Sequence, residues 1–451
     1  MVKQKSMIRD LTTGSVPKLL ISFTLPILLS NTLQAIYNIV DLIVVGQVIG
    51  GSGMSAVSIG GDLLHFLTFI AMGFSSAGQV IIARHVGEGD RAKVKKVIGT
   101  LFTLLLSISI LVAAVCFGFR SGILDLLNTP AESYQYTMDY MVTCIFGLFF
   151  IYGYNIVSAI LRGMGDSKRP FMFITIAAVL NIILDIVFVV FCHMEVFGAA
   201  LATVIGQAVS FVFSIVYLYM HREGFCFDFK PGSFRVDGAS CKEVLALGIP
   251  MAIQSASVTF SKVVLTAWIN SFGVIYSAIG GLYNKMNTVV GVVTHSFTTT
   301  GSAMMGQNLG AEKYNRVPKI LKTVGAYSLF ISGLLAALLI LFPNTIFSLF
   351  TSDQVVLASA SIIILPTVIN FIGAALRSVG FSIINGSGRS LLNLALALID
   401  GLVCRIGIAA LLGFVAGWGC VGFWYGDAFA GFVPFLIGMG FYISGKWKKQ
   451  G

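Results

Sequence analysis

The stretch VIGTLFTLLLSISILVAAVCFGF, residues 97–119, decides the class of fold. It contains no Asp, Glu, Lys or Arg, and it is long enough for an α-helix to cross a hydrocarbon layer about 30 Å thick. The whole chain agrees with this interpretation. Of its 451 residues, 57% are hydrophobic and 11% are charged, whereas soluble domains carry about 25% charged residues. The stretch therefore predicts a membrane-spanning helix.

Comparable stretches of about 20 apolar residues recur along the chain. Twelve can be marked, and they begin near Pro17, Val57, Val97, Tyr134, Pro170, Gly198, Val244, Ser277, Val317, Val355, Ser390 and Trp418. Short connections separate most of them. The pattern predicts an all-α polytopic membrane protein with twelve transmembrane helices.

The basic residues predict how these spans are oriented. Most of the 29 lysines and arginines lie in the two tails, such as 446–449, or in every second connection, whereas the opposite connections hold only Arg120. Basic loops stay on the cytoplasmic side, so we expect a multi-pass protein of the inner (plasma) membrane with both termini cytoplasmic. The net charge of +10 then reflects topology, and no nucleic-acid partner is expected.

The chain repeats itself at a constant spacing. The segment SAGQVIIARHVGEGDRAKV (76–94) aligns with TTGSAMMGQNLGAEKYNRV (299–317), and SAILRGMGDS (158–167) aligns with FSIINGSGRS (381–390). Pro26 pairs with Pro250 one residue out of register. Six spans separate the copies, so both have the same orientation, as in transporters built from two parallel repeats. We expect a six-helix lobe over 1–220, a cytoplasmic linker over 221–242 and a second lobe over 243–451.

The sequence contains no nucleotide-binding motif that could power transport. Nothing in the chain matches G-x-x-x-x-G-K-[ST], and the seven cysteines include no C-x-x-C pair, so neither a metal framework nor a cofactor is expected. The five histidines lack metalloenzyme spacing, which disfavours an intramembrane enzyme. A secondary active transporter is the simplest interpretation. Its expected partners are small-molecule substrates and the lipid bilayer, and no obligatory protein partner is implied.

Polar residues inside the spans are the candidates for function, since ionisable groups at membrane depth are costly. Asp41 ends a polar stripe on the first span. Asn181 and Asp185 share a face of the fifth span. The sixth span offers Thr203, Gln207 and Ser210 at similar spacing.

These side chains are compatible with more than one role. If the three spans meet, their oxygens can hold a sodium ion, or the two carboxylates can share one proton because like charges at short range disfavour double ionisation. Interhelical hydrogen bonding worth about 1 kcal/mol is the structural alternative. Candidates to line a substrate cavity are Gln34, Tyr37, Asn38, Gln207, Asn284, Met286 and His295.

The second half distributes its charges differently. Lys262, Lys285, Arg377 and Arg405 lie inside spans, and Asp400 is the one deep acid. Asp400 and Arg405 could neutralise each other as a pair. Asp427 lies nearer the end of its span, where we expect it to be solvated.

Pro26 lies midway along the first span, about four turns before Asp41. Proline removes a backbone hydrogen bond and bends a helix. The bend is either a static kink or a hinge that responds to the charge state of Asp41.

The span layout, the repeated SAGQVIIARHVGEGD loop and SAILRGMGDSKRP together resemble the multidrug and toxic compound extrusion (MATE) family, over Pro17 to about Gly445. The resemblance implies a V-shaped pair of six-helix lobes. It also implies export of amphipathic, often cationic, compounds in exchange for H⁺ or Na⁺. No cofactor is implied beyond that coupling ion.

The DinF-like branch of the family supplies the residue pattern. Its helix 1 aspartate matches Asp41, its Asn-x-x-x-Asp in helix 5 matches Asn181 and Asp185, and its helix 6 threonine matches Thr203. The helix 1 proline at which bending has been proposed matches Pro26. The NorM-like branch has acids in helices 7 and 10, but here neither span carries one at depth, so the resemblance places coupling in the N-terminal lobe.

A flippase for a lipid-linked precursor, in the same superfamily, is the alternative function. Its relatives often carry a cationic central cavity, and Lys262, Lys285 and Arg377 keep that alternative open. A passive channel is disfavoured because an acidic coupling site would then serve no purpose.

Overall fold

The structure, a computed structural model, describes residues 8–225 and 227–448. The end of the basic C-terminal tail, including Lys449, lies outside these residues. Every regular element in the described part of the chain is helical, because long apolar segments satisfy their backbone groups within a helix when water is excluded.

Six long helices make up the first half. They are α1 (Val16–Ile49), α2 (Gly51–Glu88), α3 (Arg91–Gly118), α4 (Tyr134–Gly163), α5 (Lys168–Asp185) and α6 (Glu195–Met220). A π-helical segment, Ile186–Phe191, continues α5. A short helix, Arg120–Leu126, follows α3.

The second half follows the same order. Its helices are α7 (Gly238–Asn270), α8 (Val274–Gly310), α9 (Val317–Leu341), α10 (Ile364–Gly386), α11 (Ser390–Leu398) and α12 (Cys420–Ala430). Helix α11 continues through the π-helical segment Ile399–Cys404, the helix Arg405–Ala410 and a second π-helical segment, Leu411–Val415; Val433–Ile443 follows α12. Two short helices, Pro343–Ser348 and Gln354–Ser359, lie between α9 and α10.

The predicted all-α polytopic membrane fold is confirmed. Within the described residues, 11 helical segments are long and apolar enough to cross a membrane. The span expected near Ser277 lies in α8, which is 37 residues long but is not among the 11. Polar side chains such as Asn284, Asn287 and Thr294 lower the hydropathy of α8, so its sequence resembles a spanning helix less than the others do.

The chain divides into two compact units, and two helices contribute residues to both. The first unit contains Leu25–Gly248 and the described residues before Leu11, and the second contains Leu11–Thr24 and the chain from Ile249 onward. The division falls beside Pro26 in α1 and beside Pro250 in α7, each a proline inside its helix. The lobe boundaries expected from the sequence, 1–220 and 243–451, stay predictions.

The segment after α6 is held against α3 within the first unit. The Thr103 hydroxyl donates to the Phe234 carbonyl oxygen at 2.5 Å, and Lys95 Nζ lies 2.9 Å from Asp228 Oδ2. Hydrogen bonds from the Ser233 hydroxyl and the Lys95 ammonium hold the pKa of Asp228 well below its usual range. The predicted linker therefore has fixed contacts on the first unit.

A buried acid accompanies a π-helical segment in the fifth helix of each half, although the two acids do not align in the repeat. Asp185 immediately precedes the π-helical segment of α5, and Asp400 lies inside the first π-helical segment of α11. A π-helical turn widens the helix by one residue and is frequent at functional sites. The fifth helix of each half, α5 and α11, is thus irregular next to a buried carboxylate.

Candidate functional site

Four polar side chains of the first unit converge in its interior. Asp41 of α1, Asn181 and Asp185 of α5, and Thr203 of α6 are at most 7% exposed. The Thr203 hydroxyl donates to Asp41 Oδ2 at 3.3 Å. The structure thus brings together all four residues that the sequence placed in one coupling site.

The Asn181 amide links the acid of α1 to the backbone of α6. In the orientation that satisfies both of its ends, its nitrogen donates to Asp41 Oδ1 at 3.1 Å and its oxygen accepts from the Thr203 backbone N–H at 3.3 Å. Both oxygens of the Asp41 carboxyl therefore receive a donor. This is the arrangement that a buried carboxylate requires, because an unsatisfied one is costly.

Asp185 is placed differently. Its carboxyl is 0% exposed, and neither oxygen accepts a hydrogen bond from a donor group of the described residues. The neighbouring polar group is the carboxyl of Asp41, within hydrogen-bonding reach. Two carboxylates can hydrogen-bond only if one of them carries a proton. Two ionised carboxylates this close repel each other, and a bound proton or cation would relieve that repulsion.

A close helix contact positions these groups. A Cβ atom on Gly206 of α6 would lie 3.1 Å from the Ala177 carbonyl oxygen and 3.4 Å from Asn181 Cβ. Glycine at this position lets α6 approach the backbone of α5, as small residues do between membrane helices. Asn181 and Asp185 share one face because they are four residues apart. Gly206 and the four-residue spacing on α5 therefore set the geometry between α5 and α6 at the site.

The sequence did not single out Tyr140 of α4. Its buried side chain lies close enough to Asp41 and Asp185 to interact with both electrostatically. It also packs on α2, where a Cβ on Gly60 would collide with the ring. The sequence signal that could have identified Tyr140 is its hydroxyl group, which lies inside a predicted membrane span.

The other first-unit candidates lie on the same helices as the acid site. The Gln207 amide donates to the Tyr37 hydroxyl at 3.3 Å, and Tyr37 is buried. Gln34 is half-buried and Asn38 is exposed. Ser210, also on α6, is buried and has no hydrogen-bond partner in the described part of the chain.

The second-unit candidates all lie on α8 and have different surroundings. Asn284 is half-buried and His295 is exposed. Met286 lies in an apolar core cluster together with Tyr283, Phe423 and Trp424. The structure does not gather these three side chains into one constellation.

Pro26 is buried inside a continuous α1. Because it lacks an N–H, the helix loses the hydrogen bond that would reach the carbonyl of Ser22. The Ser30 hydroxyl donates to the Pro26 carbonyl oxygen at 2.8 Å. The predicted weak point of α1 thus coincides with the boundary between the two units.

The expectation that Asp427 is solvated was wrong. Its side chain is buried and forms an ion pair with Arg405 Nη1, and the Tyr283 hydroxyl donates to Asp427 Oδ2 at 2.9 Å. Asp400 pairs with Arg377 Nη2, and Arg405 Nη2 lies 3.7 Å from Asp400 Oδ1. Arg405 therefore bridges two acids, which sequence spacing could not show because Asp427 comes from α12.

A family model, MatE, matches the chain twice, over residues 26–187 and 250–411. The two matches correspond to the two halves of the sequence repeat, and together they cover more than half of the chain. The model thus recognises the first five helices of each half separately.

Relatives and solved structures extend this similarity along the whole chain. The chain is 27% identical over 449 residues to the probable multidrug resistance protein YpnP of Bacillus subtilis (strain 168), covering 98% of each. It is 26% identical over 433 residues to the probable multidrug resistance protein YoeA of the same organism, covering 95% of this chain and 93% of that protein. An outward-facing multidrug resistance MATE family transporter of the MOP superfamily shares the fold, with a TM-score of 0.91, 20% identity and complete coverage of both chains. The chain belongs to the multidrug and toxic compound extrusion family, whose members are membrane transporters and not enzymes.

Proposed function

We propose that the protein is a secondary active antiporter that exports amphipathic, often cationic, organic compounds in exchange for H⁺ or Na⁺ by alternating access. The observation that carries the proposal is the buried pair of Asp41 and Asp185, in which the Asp185 oxygens receive no donor from the described residues. The relatives YpnP and YoeA are named as multidrug resistance proteins, which supports export as the direction.

The coupling ion binds where Asp41, Asn181, Asp185 and Thr203 converge. A proton shared by the two carboxyls removes their mutual repulsion. A sodium ion is accommodated by the same groups, because carboxylate, amide and hydroxyl oxygens are the donors that hard cations prefer. Either ion changes the net charge of the pair, and that change is what transport requires.

Movement follows from the placement of the acids on separate helices. Asp41 belongs to α1, whereas Asp185 belongs to α5. When the pair loses its ion, repulsion between two carboxylates favours their separation, and the interrupted hydrogen bonding at Pro26 lets α1 bend. Rebinding of the ion favours the closed pair again. The two states then have different affinities for substrate, as coupling demands.

Amphipathic organic substrates and the lipid bilayer are the partners that the proposal requires. The charge distribution of the connections supports a location in the plasma membrane with both termini cytoplasmic. The flippase alternative is not favoured, since the relatives YpnP and YoeA are named for multidrug resistance.

Transport by the protein reconstituted in liposomes tests the proposal. Ethidium movement is followed under an imposed pH gradient and, separately, under an imposed sodium gradient. We expect one gradient to drive transport in the wild type, and Asp41→Asn and Asp185→Asn to abolish it. Asp139→Asn is the matched control, because that acid of the same unit is paired with Gln135 near the helix end. Full gradient-driven transport by Asp185→Asn would contradict the proposed site.

A further inference from the structure

The second unit contains a buried charged cluster that the proposed coupling does not use. Its members are Lys262, Arg377, Asp400, Arg405 and Asp427. They lie on α7, α10, the continuation of α11 and α12, so four helices of this unit contribute. Ionisable groups at this depth are expensive and usually serve a function.

The positive charges of the cluster exceed the negative ones. Arg377 pairs with Asp400, and Arg405 pairs with Asp427 while also approaching Asp400. Each carboxylate is therefore engaged by an arginine. The Lys262 ammonium lies close enough to Asp427, Arg405 and Arg377 to interact with them electrostatically. Lys262 adds a third cation to a group that has two acids.

Lys262 has no partner of its own. Within residues 8–225 and 227–448, its ammonium makes neither a hydrogen bond nor an ion pair, whereas both arginines beside it do. The side chain is half-buried, so water solvates it incompletely. Arg405 Nε also lacks an acceptor. Asp400 Oδ1 likewise has no hydrogen-bond partner, but both carboxylates already pair with arginines, so the cluster keeps one positive charge in excess.

Two cations of the cluster, Lys262 and Arg377, are only partly buried. The Arg377 side chain is 16% exposed, and Asp400 and Arg405 are at most 2% exposed. Arg377 also stacks over the Phe381 ring, 5.1 Å from its centroid. Lys262 and Arg377 are therefore the cations of the cluster that a ligand can reach, whereas Arg405 is not.

We propose that Lys262 and Arg377 form an anion-binding subsite that receives one carboxylate group of an amphipathic substrate, with Arg405 as a positioning residue. A single oxyanion neutralises the excess charge and supplies acceptors for the unpaired ammonium. The inference deepens the proposed function, on which it rests, by extending its substrates to compounds that bear a carboxylate.

Equilibrium binding to the purified protein in detergent tests the subsite without any transport step. The probes are 2-naphthoate and 2-naphthamide, which share a ring system and differ in charge. We expect the wild type to bind the carboxylate at least tenfold more tightly than the amide. Lys262→Met and Lys262→Gln should remove this preference, and Lys262→Arg should retain it. Lys322→Met, which changes an exposed lysine of the same unit, should bind as the wild type does.

Two further measurements distinguish the subsite from the coupling site and from a purely structural role of Lys262. Asp185→Asn should keep the carboxylate preference even if it no longer transports, so failure of the coupling proposal would leave the subsite standing. Removing an unpaired, half-buried cation should not lower the melting temperature of Lys262→Met, whereas loss of a purely structural ion-pair partner would lower it. Equal binding of both probes by the wild type, or a preference that persists in the folded Lys262→Met protein, overturns the subsite.

Discussion

The Asp185 carboxyl lies within hydrogen-bonding reach of the Asp41 carboxyl, and no donor group of the described residues reaches either of its oxygens. Asp41, by contrast, is held by the Thr203 hydroxyl and the Asn181 amide. One acid of the pair is thus held by donors of the protein, and the other is not. Under the proposed coupling, we expect Asp41 to position the ion and Asp185 to respond to its presence.

Thr203→Val removes the donor to Asp41 and leaves the shape of the side chain nearly unchanged. We expect it to destabilise the protein by about 1–3 kcal/mol, since it leaves a buried carboxylate oxygen without a partner. Thermal unfolding in detergent measures the loss. Ser210→Ala is the matched control on α6, because its buried hydroxyl has no partner in the described residues. A Thr203→Val protein as stable as the control would show that the hydroxyl does not hold Asp41.

Asp427→Asn breaks the buried pair with Arg405. We expect a loss of up to about 3–5 kcal/mol, since Arg405 then keeps only Asp400, which lies 3.7 Å away and is already paired with Arg377. The apparent melting temperature reports the loss. The double variant Arg405→Met with Asp427→Leu removes both charges and should recover most of the stability. If the single and double variants are equally unstable, packing and not charge explains the effect.

Pro26→Ala restores an N–H that can donate to the Ser22 carbonyl inside α1. We expect the variant to be at least as stable as the wild type and to transport ethidium several-fold more slowly, because α1 bends less readily. Rates in liposomes and melting temperatures check the two parts. Pro318→Ala is the control, since that proline lies at the start of α9, where helices lack the hydrogen bond anyway. Unchanged transport by Pro26→Ala would identify a static kink.

The linker should stay docked on α3 throughout the physiological pH range. The pKa of Asp228 is depressed in the folded protein, so its contribution is present above the ordinary carboxyl range and is lost as pH falls through the lowered value. Limited proteolysis of the linker should therefore be constant between about pH 5 and 8. At pH 7, Asp228→Asn should accelerate cleavage, whereas Glu223→Gln, an exposed acid of the same segment, should not. Equal cleavage of both variants would show that the contact with Lys95 does not hold the linker.

Much of this architecture was predictable because membrane helices have local sequence patterns that can be recognised without the structure. Apolar stretches indicated the spans, and the spacing of Asn181 and Asp185 placed them on one face. Asp41 and Thr203 were singled out as polar groups at membrane depth. Their convergence required the additional assumption that α1, α5 and α6 meet, which the resemblance to the DinF-like residue pattern supported.

What the sequence missed depends on contacts between distant segments. The burial of Asp427 results from Arg405 and Tyr283, which lie on other helices, so its position near a span end was misleading. Tyr140 lies beside the acids because Gly60 of α2 lets its ring approach. The passage of α1 and α7 between units beside Pro26 and Pro250 is likewise a property of tertiary packing, and no periodicity encodes it.

The central claim is that movement of substrate is exchanged for movement of an ion at the Asp41–Asp185 pair. The most direct measurement imposes an ethidium gradient across the membrane of reconstituted liposomes and records H⁺ and Na⁺ movement, with no other gradient present. We predict that one of the two ions moves opposite to ethidium in the wild type and in Asp139→Asn, and that this counter-movement is absent in Asp185→Asn. Ethidium movement in the wild type without counter-movement of either ion, or counter-movement that is undiminished in Asp185→Asn, would contradict the account.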